Sequence, residues 1–357
     1  MRICIPMAGA INDGVLSPER SESRWAQNWV RFLSEETNHE IIAVGDPGPI
    51  SWGVCPPLKN VELICKKDLN HDVDLYIDSC WYPTKQIGNV RAKGYVMVNW
   101  GWEDYKYSQP GIIYDLLKKP NYALGYTFLE REKEMTHGRE FVDKTFLLPI
   151  PLAKEFGKSH FDKDEITYTP RDIFLNRQEP NNINWIETGI NVIRAITDVA
   201  EKYHLKTNFF MAHELSQKSD QAGEVVRKYG IEELVSRAPR RSMYEIITLD
   251  KLMEVIDRSK VITPVIGPGG SIIEGISAGV MALTWQDLVF PPIARQHDFL
   301  LDAGASYPAI RTNLERLLTD RSFYDKMLGL YQYALRDHLY DNCQKHLNKL
   351  TQWLERL

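Results

Sequence analysis

A short apolar run bounded by turn residues, followed by a stretch with apolar residues at helical spacing, recurs along this chain, and beyond residues 146–156 the pattern starts again. In the first half, "RICIPMA" (2–8), "EIIAVG" (40–45), "VDLYIDS" (73–79), "KGYVMVNW" (93–100) and "YALGYTF" (122–128) read as buried strands. Residues 21–36 and 109–118 read as helices. Strands apolar throughout their length that alternate with helices make a parallel sheet covered on both faces. The stretch "FLLPIPLAKEF" (146–156) sets two prolines just after a strand-like run and reads as a linker. The second half predicts strands over 172–176, 206–212, 233–239, 260–266 and 280–285, and helices over 184–203, 221–230, 248–259 and 271–280. Residues 323–357 read as nearly continuous helix, with Leu, Tyr and Trp at i, i+3, i+4 spacing.

The 357 residues suit two domains of roughly 150 to 200 residues each. The expected division is 1–150, joined by a helix at about 340–357, and 151–339. A net charge of −5 removes a whole-protein electrostatic case for nucleic acid or an anionic membrane and leaves room for a local basic patch. The five cysteines, Cys4, Cys55, Cys65, Cys80 and Cys343, are scattered with no C-x-x-C pair, which points to reduced thiols in a cytoplasmic protein. "MRICIPMAG" breaks at Gly9, too early for a signal peptide, and no apolar run reaches the ~18 residues of a transmembrane span.

The stretch "GPGGSIIEGISAG" (267–279) stacks glycines and a proline in front of an apolar helix with one acid, Glu274, in its first turns. A Gly-rich turn feeding a helix lets backbone N–H groups approach an anion, and the positive end of the helix dipole adds to the attraction. Phosphate is the leading candidate. The other reading is a tight connection with Ser271 as the helix cap.

Two such halves, a linker near the midpoint and a long C-terminal helix resemble the GT-B fold of nucleotide-sugar glycosyltransferases. "GPGGSIIEGISAGVMALTW" (267–285) resembles that family's Gly-rich turn, its E-A-M-A-C-G-x-P-V segment and the strand that follows. The resemblance implies two Rossmann-like α/β domains facing a cleft, with the C-terminal helix crossing back to the first domain. It further implies that Glu274 accepts hydrogen bonds from the donor ribose, while N–H groups of Gly269, Gly270, Ser271 and Ile272 hold the diphosphate. The retaining group of the family carries a second glutamate eight positions before the first, where this chain has Ile266. It also carries a lysine where this chain has Asn182, and these departures favour inversion. No carboxylate pair with D-x-D spacing accompanies the Gly-rich segment, so a metal-independent site without a cofactor is expected, with Arg177 as the leading cation on the leaving group and Arg237 as a second.

The acceptor side is expected in the first half. Gly9, Asn12 and Asp13 lie in the loop after the first strand, and "NWGWEDY" (99–105) runs from a strand into Trp100, Trp102, Glu103 and Asp104. The tryptophans offer a stacking platform, and a carboxylate there suits a general base; Asp104 is the first choice, then Glu103 and Asp13. The same acids would also complement the dipole at a helix start. The sequence thus predicts a glycosyltransferase using a nucleotide-sugar donor such as a UDP-sugar. The acceptor is left open among a glycan, a lipid-linked glycan, a small molecule and a modified DNA base. A non-catalytic two-lobed binding protein and a nucleotide-sugar epimerase on the same fold are the alternatives.

Overall fold

The computed structural model describes residues 1–6, 21–44, 58–64, 68–78, 90–99, 110–127, 140–169, 183–210, 221–244, 249–264, 270–283 and 306–357. The chain divides into two units, Met1–Lys154 with Arg336–Leu357, and Glu155–Leu335.

The first unit is built on a parallel sheet of β1 (Arg2–Pro6), β2 (Glu40–Val44), β3 (Val61–Ile64), β4 (Asp72–Asp78), β5 (Arg91–Asn99), β6 (Tyr122–Tyr126) and β7 (Thr145–Leu147), in the order β3-β2-β1-β4-β5-β6-β7. Helix α1 (Ser21–Glu36) links β1 to β2, and α2 (Pro110–Leu117) links β5 to β6. On α1, Trp25 and Trp29 are fully buried four residues apart. Their indole N–H groups donate to Leu148 O at 3.0 Å and Pro149 O at 2.9 Å, so neither ring is buried with an orphaned donor.

The second unit carries β8 (Glu165–Thr169), β9 (Lys206–Phe209), β10 (Arg241–Met243), β11 (Ser259–Pro264) and β12 (Met281–Ala282), all parallel, in the order β10-β9-β8-β11-β12. Its helices are α3 (Ile183–Tyr203), α4 (Gln221–Lys228), α5 (Ile231–Ser236), α6 (Leu249–Ile256), α7 (Gly270–Ala278), α8 (Tyr307–Thr319) and α9 (Arg321–Ala334). A buried polar row crosses the central strands: Asn208 Nδ2 donates to Glu165 Oε2 at 2.8 Å, and the hydroxyls of Thr167 and Ser259 meet at 2.5 Å. A slip of register would strand each of these groups, so the row favours one pairing of β8, β9 and β11.

After a 3₁₀ turn at Arg336–His338, helix α10 (Tyr340–Glu355) returns to the first unit. Tyr340 N–H donates to Ala153 O at 2.9 Å, and Trp353 and Leu354 pack on β5 at Gly94. A Cβ at Gly94 would lie 2.6 Å from Leu354 Cδ1, so the helix docks only because that strand position has no side chain.

Several expectations need correction. Residues 233–239, predicted as a strand, belong to α5 and the turn after it: Ile231, Leu234, Val235 and Ala238 are buried at helical spacing, and the strand comes later, as β10. The first strand of the second sheet is β8, at Glu165–Thr169; the predicted strand at 172–176 lies outside the described residues. Strand β3 and helix α8 were not anticipated, and the C-terminal helical stretch breaks into α9 and α10 at the 3₁₀ turn.

That turn buries His338 completely enough that its pKa falls to about 4, chiefly from lost hydration. Its Nδ1 lies 2.9 Å from Ile150 O, and a carbonyl accepts, so Nδ1 bears the proton of a neutral ring. An unfolded chain takes up that proton near pH 6.5, whereas the folded chain resists it down to about 4. Stability contributed by the neutral ring is therefore complete above pH 6.5 and is lost as pH falls toward 4. A melting temperature followed from pH 8 to pH 4 is expected to drop over that window, less steeply in His338→Gln. Equal slopes in the two proteins would rule out this residue as a source of acid sensitivity.

Candidate functional site

The second sheet reverses its strand order between β8 and β11. From β8 the chain passes to β9 and β10 on one side, while β11 and β12 lie on the other. Crevices at the carboxyl ends of strands flanking such a reversal are where open α/β sheets bind ligands. The last pairing there is Pro264 with Thr169, and α7 begins six residues after Pro264, at Gly270. The N-terminus of α7 therefore opens at the edge that this rule selects.

Helix α7 is buried on every side over Ile272–Ser277, which is unusual for a crossover helix. Its apolar residues pack on β11, where a Cβ at Gly275 would lie 2.1 Å from Ile262 Cδ1. Glu274 sits in this buried stretch at 5% exposure. Carboxylates are rarely so deep, and helical side chains lean toward the N-terminus of their helix, so this one leans back toward the carboxyl edge of the sheet. At the other end of α7, Gly279 adopts φ 103°, and its N–H donates to Ile276 O at 3.1 Å. Tyr324 of α9 locks that end: its hydroxyl donates toward Lys260 O at 2.7 Å and accepts from Met281 N–H at 3.0 Å. Sequence reasoning missed Tyr324, which lies more than forty residues from its partners with no local signal.

Of the residues expected at the donor site, the structure brings Gly270, Ser271, Ile272 and Glu274 together in the first turns of α7. It does not bring Arg237 there. Arg237 follows α5 and precedes β10, and its Nη2 donates to Asp198 Oδ1 at 3.0 Å near the C-terminal end of α3. In a parallel sheet that is the amino end of the strands, opposite the edge where α7 opens, so Arg237 serves α3 and α5 rather than the crevice. Gly269 and Arg177 lie outside the described residues, as do Gly9, Asn12, Asp13, Trp100, Trp102, Glu103 and Asp104. In the first sheet the reversal falls between β1 and β4, and Asp78, only 4% exposed, ends β4 there. Burial, with the Asp78 charge second, pushes the Cys4 thiol up to about 12, so Cys4 stays protonated and is no nucleophile. Among the described residues no three His, Cys, Asp or Glu side chains form a metal-sized cluster, and no helix is long and apolar enough to cross a membrane.

Two parallel α/β sheets, each reversing between its first and fourth strands, with a C-terminal helix returning to the first, define the GT-B fold. Solved structures with this fold include sucrose-phosphate synthase from Thermosynechococcus elongatus, at 12% identity, with a TM-score of 0.60 over 99% of this chain and 99% of that one. UDP-GlcNAc 2-epimerase from Methanocaldococcus jannaschii matches at 12% identity and a TM-score of 0.54 over 90% of this chain and 94% of its own. TarM from S. aureus, solved as a mutant in complex with fondaparinux, alpha-GlcNAc-glycerol and UDP, matches at 11% identity and a TM-score of 0.51; 78% of this chain spans 55% of that longer one. No protein-family model matches the sequence, and no curated protein does.

Proposed function

We propose that this chain is a glycosyltransferase that moves a sugar from a nucleoside-diphosphate donor, a UDP-sugar, to a hydroxyl acceptor. The observation that carries the reading is the buried Glu274 in the first turns of a helix that opens at the carboxyl edge of the β8/β11 reversal. In this reading the N–H groups of Gly269 to Ile272 hold the diphosphate, and Glu274 accepts from the ribose hydroxyls. The UDP bound to TarM, on the same fold, supports that choice of nucleotide. Breaking the bond between the anomeric carbon and the diphosphate leaves charge on UDP. The helix dipole, the N–H groups and Arg177 stabilise that charge without a metal ion. Gly9, Asn12, Trp100 and Trp102 hold the acceptor, and Asp104, with Glu103 and Asp13 as alternates, takes the proton of the attacking hydroxyl, giving inversion. The location in this reading is cytoplasmic.

A second reading, a UDP-sugar epimerase, is favoured by the likeness to the M. jannaschii enzyme over 90% of this chain. Product analysis separates the two. UDP-sugars incubated with the purified protein and a panel of hydroxyl acceptors are expected to yield free UDP and a glycosylated acceptor, in EDTA as well as without it. An epimerised UDP-sugar with no transfer would establish the second reading. Turnover abolished by EDTA and restored by Mg²⁺ or Mn²⁺ would end the metal-free part of the first.

A further inference from the structure

The C-terminal end of α7 is held by groups far from its N-terminus. Gly157 N–H donates to Ser277 O at 2.6 Å. Gln332, in the last turn of α9, donates its Nε2 both to Gly157 O at 3.0 Å and to Ile276 O at 3.1 Å. The backbones of residues 157–158 and 278–279 are in direct contact: a Cβ on Gly157 would lie 2.1 Å from Ala278 O, and one on Gly279 would lie 1.8 Å from Lys158 O. The chain passes between its two units after Lys154 and again after Leu335. Gly157 thus lies just past the first crossing, and Gln332 just before the second.

We infer that Gln332 is a positioning residue for the donor helix. The last carbonyls of a helix lack partners within it, and here one of them shares an amide donor with the segment that enters the second unit. A helix buried over Ile272–Ser277 moves as a rod, so fixing its C-terminal end also fixes its other end. By tying Ile276 to Gly157, Gln332 sets where the Gly270–Ile272 N–H groups and the Glu274 carboxylate stand when a nucleoside diphosphate arrives. The donor helix is thereby fastened to both crossings. The inference rests on the reading of α7 as the donor site.

The test compares wild type with Gln332→Met, which keeps the length of the side chain and removes the donor, and with Gln332→Asn, which retracts the amide by one methylene. UDP is the probe, and the readouts are its Kd by calorimetry, the melting temperature, and amide hydrogen exchange at Gly157 and Val280 with and without UDP. UDP is expected to slow exchange at both amides in wild type, although neither is near the nucleotide site. Either variant is expected to weaken UDP binding by about threefold to tenfold and to lose that UDP-dependent slowing; should one fail to fold, the other carries the comparison. A residue that merely stabilises the fold would lower the melting temperature and leave both UDP readouts as in wild type, and that result overturns the inference while the donor site stands. A folded wild-type protein that binds no UDP overturns the donor-site reading and this inference with it.

Discussion

Asp104→Asn is expected to lower kcat by roughly 10² to 10⁴ while leaving UDP affinity within about twofold of wild type. A general base acts only on the proton of the acceptor hydroxyl, so removing it raises the barrier of the transfer step without touching the diphosphate or the ribose. Glu103 and Asp104 are adjacent in sequence and one base suffices for the transfer, so only one of them is expected to matter, and the Glu103→Gln variant identifies which. Inversion makes a second demand on the same residue: the product's anomeric configuration must be opposite to the donor's. Full activity in both single variants would exclude this pair and leave Asp13 as the base, and a product with the donor's configuration would refute inversion; either result leaves Glu274 in its place.

Glu274→Ala is expected to raise the Kd for UDP by roughly ten- to 150-fold, which corresponds to about 1.5 to 3 kcal/mol for charge-assisted hydrogen bonds to the ribose. The carboxylate is buried, so its removal also affects stability, and affinity alone would not separate the two effects. Nucleotide discrimination does. Wild type is expected to prefer UDP over 2′-deoxy-UDP, and the variant is expected to lose most of that preference, because the hydroxyl then has no carboxylate to donate to. A variant that still folds and still discriminates the two nucleotides would remove Glu274 from the ribose site.

Much of this architecture was legible in the chain. The strands at β1, β2, β4, β5 and β6 stand within two residues of their predicted bounds, because a fully buried parallel strand is an unbroken apolar run closed by turn residues. The helices α1, α3 and α7 were equally plain, since their apolar residues repeat at helical spacing. Of the candidate site, the part readable in advance was the contiguous part: Gly270, Ser271, Ile272 and Glu274 share one turn-to-helix segment, so sequence spacing already gives their relative placement. Arg237 went astray for the opposite reason. The sequence reading makes 233–239 a strand, whereas Ile231, Leu234, Val235 and Ala238 repeat at i, i+3, i+4 and i+7. Taken as a strand, the segment put the arginine at a carboxyl end, whereas as the end of α5 it stands at an amino end beside Asp198.

By itself the sequence determined most of the strands and helices, that the α/β pattern occurs twice, and that a Gly-rich turn feeds a helix carrying one acid. These are local properties, set by backbone sterics and by the period at which apolar side chains recur. Only the tertiary structure decided that β11 lies beside β8 at the reversal of the second sheet, that α10 docks where Gly94 leaves room for Leu354, and that Tyr324 and Gln332 hold the far end of α7. Each of these joins residues tens to hundreds of positions apart, and strand order and packing arise from closing the whole core, which no local window of the chain encodes.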